Sequence, residues 1–165
     1  MSFEIVLKSG HPLSQSEDIE YILIQFLFQI GYLPKKYENR GNEQIKESLP
    51  YKLFVDCFLR NPSKYWEIDE LSAFLKTTNA TIYRHLNKMK SLDLLEEKSF
   101  QGKDARYIKK GYKIRFGDLA IAWNFVETNI DIIKENYRKT VNHLSKLMKN
   151  QQEFFEKGVF KQEEE

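Results

Sequence analysis

Eleven positions step alternately by four and three residues through the last third of the chain: Leu119, Trp123, Val126, Ile130, Ile133, Tyr137, Thr140, Leu144, Leu147, Gln151 and Phe154. Nine of them are apolar, and no proline interrupts the run. Sustained 4-3 spacing over five heptads is the seam of a coiled coil. The spacing predicts one long helix over 117–158, opened by Gly117-Asp118 and ended at Gly158, with an acidic tail, 159–165, that frays.

A second segment also asks for a partner. Ser14-Gln15-Ser16-Glu17 has the Ser-x-x-Glu form of a capping box and precedes a dense apolar run. It predicts a helix from Gln15 to Ile30, stopped by Gly31 and Pro34. Ile19, Tyr21, Ile22, Leu23, Ile24, Phe26, Leu27, Phe28 and Ile30 surround most of that cylinder. A helix apolar on nearly all sides is buried on nearly all sides. One subunit of 165 residues covers such a helix with difficulty, so a homodimer is expected. Its interface would use Ile22 and Phe26 from this helix. The long helix would add Leu119, Trp123, Val126, Ile130, Ile133, Tyr137, Leu144 and Leu147. The alternative is a central core helix within one subunit.

Charge is unevenly placed. The net charge is +2, but residues 1–45 carry 4 basic and 6 acidic side chains, 46–116 carry 15 and 9, and 117–165 carry 7 and 9. Within the middle segment, residues 79–116 hold 10 basic and 4 acidic side chains. Local density, rather than the total, sets attraction to a polyanion.

That middle segment also has its own order of elements. Phe3–Lys8 reads as a short strand and Lys35–Glu47 as a polar linker. A helix follows over 48–61, with Pro50 in its first turn and Leu53, Phe54, Cys57 and Phe58 on one face. Tyr65–Ile68 is extended. Asp69 caps a short helix, Glu70–Lys76. Thr78 caps the next, Asn79 to Leu92. Leu94–Phe100, the turn Gln101–Asp104 and Ala105–Phe116 read as a β-hairpin, with a bend at Lys110-Gly111.

Helix, short strand, helix, tight turn, helix and two-stranded wing is the order of a winged helix-turn-helix. Leu75-Lys-Thr-Thr-Asn-Ala-Thr-Ile-Tyr-Arg-His-Leu86 resembles the core of prokaryotic winged-helix repressors of the MarR and ArsR types. Their usual phrase is Leu-Gly-Val-Ser-x-x-Thr-Val-Ser-Arg-His-Leu, followed by Leu-x-x-Leu-Gly-Leu-Ile. Thr78 stands at the Ser, Thr81 at the Thr and Ile82 at the Val; Arg84-His85-Leu86 match outright. Leu92-Asp-Leu-Leu95 stands at the ending. Lys76 replaces the usual Gly, and Thr77 a usually apolar residue. The resemblance covers residues 48–116. It implies DNA binding, and it implies that the long helices on either side form the dimer interface.

The residues support that reading by themselves. At about 100° per residue, Leu86 and Met89 lie within about 40° of Ile82 and form the core stripe. The opposite face carries Ala80, Tyr83, Arg84, Asn87 and Lys88. Arg reaches guanine, Asn adenine and Lys phosphate. The free N–H groups near Asn79–Thr81, beside the Thr78 cap, suit a phosphate. In the wing, Lys98, Lys103, Arg106, Lys109, Lys110, Lys113 and Arg115 face only Glu96, Glu97 and Asp104, and Gly102 permits a tight tip. Such a wing tracks phosphates or places Arg106 in the minor groove. The plainer alternatives are a solvated helix face and an edge hairpin kept soluble by lysine.

The expected fold is therefore mainly α with a small β-hairpin wing: a winged helix-turn-helix flanked by N-terminal and long C-terminal dimerisation helices. Its segments are 1–45, 46–116, 117–158 and the tail 159–165. The expected function is sequence-specific binding of double-stranded DNA by a dimeric transcriptional regulator. The alternative is a winged-helix protein-interaction module that uses the coiled-coil helix and binds no DNA. Nothing in the sequence points to an enzyme: it has no Gly-rich phosphate loop, no paired His/Cys ligands and no Ser/His/Asp set, so no catalytic residue, metal or cofactor is assigned. Cys57, the sole cysteine, forms no intramolecular disulfide and reads as a core residue. The first residues lack the build of a signal peptide, and the run Ile19–Leu33 is too short to span a membrane, so a cytoplasmic protein is expected. Trp66, Trp123, Phe125 and Tyr137 would line an effector pocket or simply fill the core; the sequence leaves any effector open.

Overall fold

Gly31, Lys76 and Asp93, each just past the end of a helix, all adopt a left-handed backbone. A computed structural model of the chain describes residues 2–101 and 107–160, with side chains through Phe155. The first helix, α1, spans Ile19–Gln29. Gly31, at φ 69°, turns the chain so that Tyr32 N–H bonds Leu27 O at 2.9 Å and Gly31 N–H bonds Phe28 O at 3.1 Å. That pair of bonds is the Schellman stop a C-terminal glycine provides. The start of α1 differs from expectation. Asp18, not Ser14, is the cap: its Oδ1 accepts from Tyr21 N–H at 3.1 Å. An aspartate cap also brings a negative charge to the positive end of the helix dipole.

The predicted strand at Phe3–Lys8 is absent. The segment is extended, but Glu4 N–H bonds Ser91 O and Lys8 N–H bonds Gln29 O, both at 2.9 Å. Its donors satisfy carbonyls at the ends of two helices instead of joining a ladder. The supposed linker 35–47 likewise contains a 3-10 turn, Lys35–Tyr37, and a short helix, α2, Asn42–Lys46, whose Ile45 is buried.

Helix α3, Leu49–Lys52, continues into a π-helical stretch, Leu53–Leu59. The apolar content of this segment explains its place at the centre of the core. Leu53, Phe54, Val55, Cys57 and Phe58 are all buried, more than the one face that was expected. Its end is closed by side chains, because Pro62 has no N–H to give. Asn61 Nδ2 donates to Asp56 O at 2.9 Å, and the Trp66 indole N–H donates to Cys57 O at 2.8 Å. Burial pushes the Cys57 thiol up to about 12, consistent with its core role.

Strand β1, Trp66–Glu67, leads directly into α4, Ile68–Phe74. The cap is Glu67, in a reciprocal capping box with Glu70, so α4 begins earlier than an Asp69 cap implied. Helix α5 spans Asn79–Ser91, and strands β2, Leu95–Gln101, and β3, Ile108–Ile114, complete an antiparallel sheet of order β1-β3-β2. Trp66 pairs with Tyr112 and Leu95 with Ile114. Gly111 makes no bend; β3 runs straight through it, paired to Glu67 and Lys98. A Cβ there would lie 2.7 Å from the Phe100 ring and 3.1 Å from Tyr65 Cβ, which explains the glycine.

The last helix, α6, spans Leu119–Phe160. The chain forms two compact units, Met1–Val126 and Glu127–Glu165. In the first unit, Ala122 and Val126 are fully buried, and Trp123 meets Phe26 edge to face at 5.4 Å. Val126, assigned to a subunit seam, is thus occupied by its own chain, and Phe26 and Trp123 are partly satisfied by each other. Burial of α1 is one-sided: Ile24, Leu27 and Ile30 are buried, while Ile19 is 71% and Tyr21 41% exposed. In the second unit every residue from Asp131 to Phe155 is exposed, including Ile133, Tyr137, Leu144 and Leu147; Ile130 is half-buried.

Candidate nucleic-acid interface

Helix α5 presents one face to the core and the other to solvent, as its apolar period dictates. Ile82, Leu86, Met89 and the following Leu92 are at most 1% exposed. Ala80, Tyr83, Arg84 and Asn87 are exposed on the far side, and Lys88 is half-buried. Among the described residues neither Arg84 nor Lys88 has a carboxylate partner.

The turn into α5 shows how a departure from the repressor phrase is accommodated. Lys76, which stands where that phrase has Gly, adopts φ 51°. Lys76 N–H bonds Ala73 O at 3.3 Å and Thr77 N–H bonds Ser72 O at 3.0 Å, a complete Schellman turn built on a lysine. The second Gly position of the phrase, at the exit from α5, is Asp93, also left-handed at φ 59°. Asp tolerates this region better than most residues. Sequence and backbone therefore disagree about residue type and agree about geometry.

The start of α5 is more occupied than the sequence implied. Thr78 Oγ1 accepts from Thr81 N–H at 3.3 Å and lies 3.0 Å from Thr81 Oγ1. One of the N–H groups expected to await a phosphate is therefore taken. Asn79 Nδ2 donates to Asp69 Oδ1 of α4 at 2.8 Å. A carboxylate only accepts, so this bond fixes which way the Asn79 amide faces.

The wing cations are largely paired. Lys109 Nζ lies 2.7 Å from Glu67, Lys110 Nζ 2.7 Å from Glu97, and Lys113 Nζ 3.2 Å from Glu96. Arg115 pairs with Asp93. Glu97 also holds Lys90 of α5 at 3.0 Å, so one carboxylate ties the wing to the helix. Its two lysine hydrogen bonds bring the Glu97 carboxyl down to about 2. Lys98 instead lies over the Tyr65 and Phe100 rings, at 5.7 and 5.5 Å from their centroids. Lys103 and Arg106 lie outside the described residues. The segment count of charge overstated the free positive charge here, because a net count does not show which cations are paired: Lys110, Lys113 and Arg115 meet carboxylates of the same stretch, and Lys109 meets Glu67, 42 residues away.

His85, beside the core stripe, is held below the ordinary histidine range by burial first, then by the neighbouring charges of Arg84 and Lys36. It is neutral at neutral pH. The four aromatic residues considered for a pocket do not share one. Trp66 packs on Phe74 at 5.5 Å, Trp123 on Phe26, and Phe125 on Phe116 at 5.6 Å, while Tyr137 is 69% exposed.

The chain is thus a mostly helical protein with a small three-stranded antiparallel sheet, in a form compatible with a winged-helix-like fold. No family model and no curated protein matches it. It is similar to a solved structure described as a possible transcriptional regulator from Methanosarcina mazei Go1, at 17% identity and a TM-score of 0.42, over 86% of this chain and 98% of the other. Among the described residues no helix is long and apolar enough to cross a membrane, and no group of three or more His, Cys, Asp or Glu is placed to hold a metal ion.

Proposed function

We propose that this chain is a winged helix-turn-helix regulator of the MarR-like kind, which binds double-stranded DNA as a cytoplasmic homodimer and catalyses no reaction. The observation that carries the reading is the α5 face. Ala80, Tyr83, Arg84 and Asn87 project from a helix whose other side is completely buried, between a tight turn from α4 and a two-stranded hairpin. A rigid helix with small, amide and guanidinium groups outward fits a major groove and its base edges. Thr78, Asn79, Thr81 and Lys88 flank that face, and Lys98, Lys109 and Lys110 are the described wing residues assigned to the backbone. The exposed apolar residues of 130–155 support a second copy as partner, pairing as a coiled coil, because a soluble helix rarely leaves such a stripe uncovered.

The test is selection from a random duplex library, followed by affinity measurements over a range of salt. Salt-dependent binding with a preferred sequence supports the reading. The carboxylates paired to wing lysines favour a second reading, a protein-interaction module that uses the exposed face of α6. Absence of duplex binding at every salt concentration selects that module.

A further inference from the structure

Ile108 opens β3 and is 72% exposed. Side chains alternate across a strand, so Ile108 shares a face of the wing with Lys110, Tyr112 and Ile114. On that face Tyr112 and Ile114 are buried in the core. The ladder follows the same order: Ile114 stands opposite Leu95, which is buried, and Ile108 opposite Gln101, which is exposed. The core-facing side of the wing therefore runs outward past the edge of the core and ends in a largely uncovered isoleucine.

Tyr83 lies across from it. Its ring is on the outward face of α5, next to Arg84, and is 50% exposed. Tyr83 and Ile108 line one groove of about 250 Å³ between the start of α5 and the wing. The charged and amide side chains of that groove have partners. Lys109 Nζ lies 2.7 Å from Glu67, Lys110 Nζ 2.7 Å from Glu97, and the Asn79 amide donates to Asp69 at 2.8 Å. The lining holds two lysines, Lys109 and Lys110, and two carboxylates, Glu67 and Asp69, so it offers a phosphate no net charge. Its open apolar surface is Tyr83 and Ile108.

We propose that this groove is a subsite for the 5-methyl group of thymine, on which Tyr83 and Ile108 close at the wing-side edge of each half-site. This rests on the DNA-reading function proposed above. Among the four standard bases only thymine carries a methyl on its major-groove edge. That methyl lies at the outer end of the edge, next to the thymine's own sugar-phosphate strand. The groove holds the corresponding place on the protein. Helix α5 carries side chains for base edges, the wing carries lysines for the backbone, and the apolar pair stands between them. A methyl needs apolar contact and is indifferent to the balanced charges around it.

The experiment measures the affinity of the full chain for its library-selected duplex, and for the same duplex with each thymine replaced in turn by deoxyuridine. Uracil keeps the hydrogen-bonding groups of thymine and lacks only the methyl. Replacement at the wing-side edge of a half-site should weaken the parent about three- to fivefold, the worth of one buried methyl. Ile108→Ala and Tyr83→Ala should bind the thymine and uracil duplexes alike. Ile108→Val and Tyr83→Phe should keep the thymine preference, because each retains the apolar contact. Both positions are exposed, so melting temperature should not change. The inference falls if no replacement weakens the parent, or if the thymine preference survives in either alanine variant. A loss by the same factor on both duplexes would then assign the groove to the sugar-phosphate strand. If the parent binds no duplex at all, the DNA-reading function itself is overturned, and this subsite with it.

Discussion

Asp69, in the first turn of α4, accepts a 2.8 Å hydrogen bond from the side-chain amide of Asn79, in the first turn of α5. The two helices of the candidate reading unit are thereby joined at their starts, next to the surface that would meet DNA. Both side chains are exposed, so the bond is worth about 0.5–1.5 kcal/mol. Asp69→Ala should lower stability by that amount, and Asn79→Ala by a similar one. The double variant should lose little more than either alone. Additive losses in chemical denaturation would show that the bond does not couple the helices.

Arg84→Ala and Ile82→Ala separate reading from folding. Arg84 is exposed, and its removal should change stability by no more than about 0.5 kcal/mol. It should cost about 1–3 kcal/mol of discrimination if the guanidinium pairs with a guanine. A loss equal for all sequences would assign it to a phosphate instead. Ile82 is 0% exposed, so Ile82→Ala should cost about 2–5 kcal/mol through a core cavity and lose DNA binding only as a consequence. An Arg84→Ala protein that binds like the parent would remove α5 as the reader.

Lys76→Gly should stabilise the protein. The left-handed conformation costs a residue with a Cβ about 1–2 kcal/mol, and glycine gives back about 0.5–1 kcal/mol through the freedom of its unfolded chain. A gain of up to about 1.5 kcal/mol is expected, read as a higher melting temperature. A loss would mean that the lysine side chain contributes more than its backbone strain costs.

Glu97 gives a dependence on pH with a definite sign. Its carboxyl titrates near 2 in the folded chain and in the ordinary range when unfolded. The stabilisation is complete above the ordinary carboxylate range and is lost as pH falls through about 2. Exposed ion pairs are worth about 0–1 kcal/mol, so the effect is small. Glu97→Gln should melt slightly below the parent at pH 7 and level with it near pH 2. The same change releases Lys90 and Lys110, so affinity for every duplex should rise at low salt. Unchanged affinity would place those lysines away from the phosphates.

The exposed stripe on α6 should hold two copies together. Sedimentation at micromolar concentration should give twice the chain mass, and Leu144→Asp/Leu147→Asp should return it to one. Both leucines are exposed in the single chain, so the variant should keep the helical signal of the rest. A parent that sediments as a monomer would refute the dimer.

Periodicity along the chain was enough to place α4, α5 and α6 and the apolar stripe of α5, but it missed α2 and overstated how much of α1 is buried. The stripe of Ile82, Leu86 and Met89, the Thr78 cap, the stop at Gly31, the strands on either side of residues 102–106 and the long run from Leu119 were all legible, because each depends on residues within a few positions of one another. What periodicity does not hold is the identity of the surface that covers an apolar face. Val126 reads as one more seam position, yet it is buried in its own chain, while Ile133 and Leu144, identical in pattern, are exposed. Charge behaves the same way. Glu67 and Lys109 are 42 residues apart in sequence and 2.7 Å apart in space. Local structure follows from short-range sterics and the spacing of side chains. Pairing and proximity follow from how the chain returns on itself, and only the tertiary structure decided those.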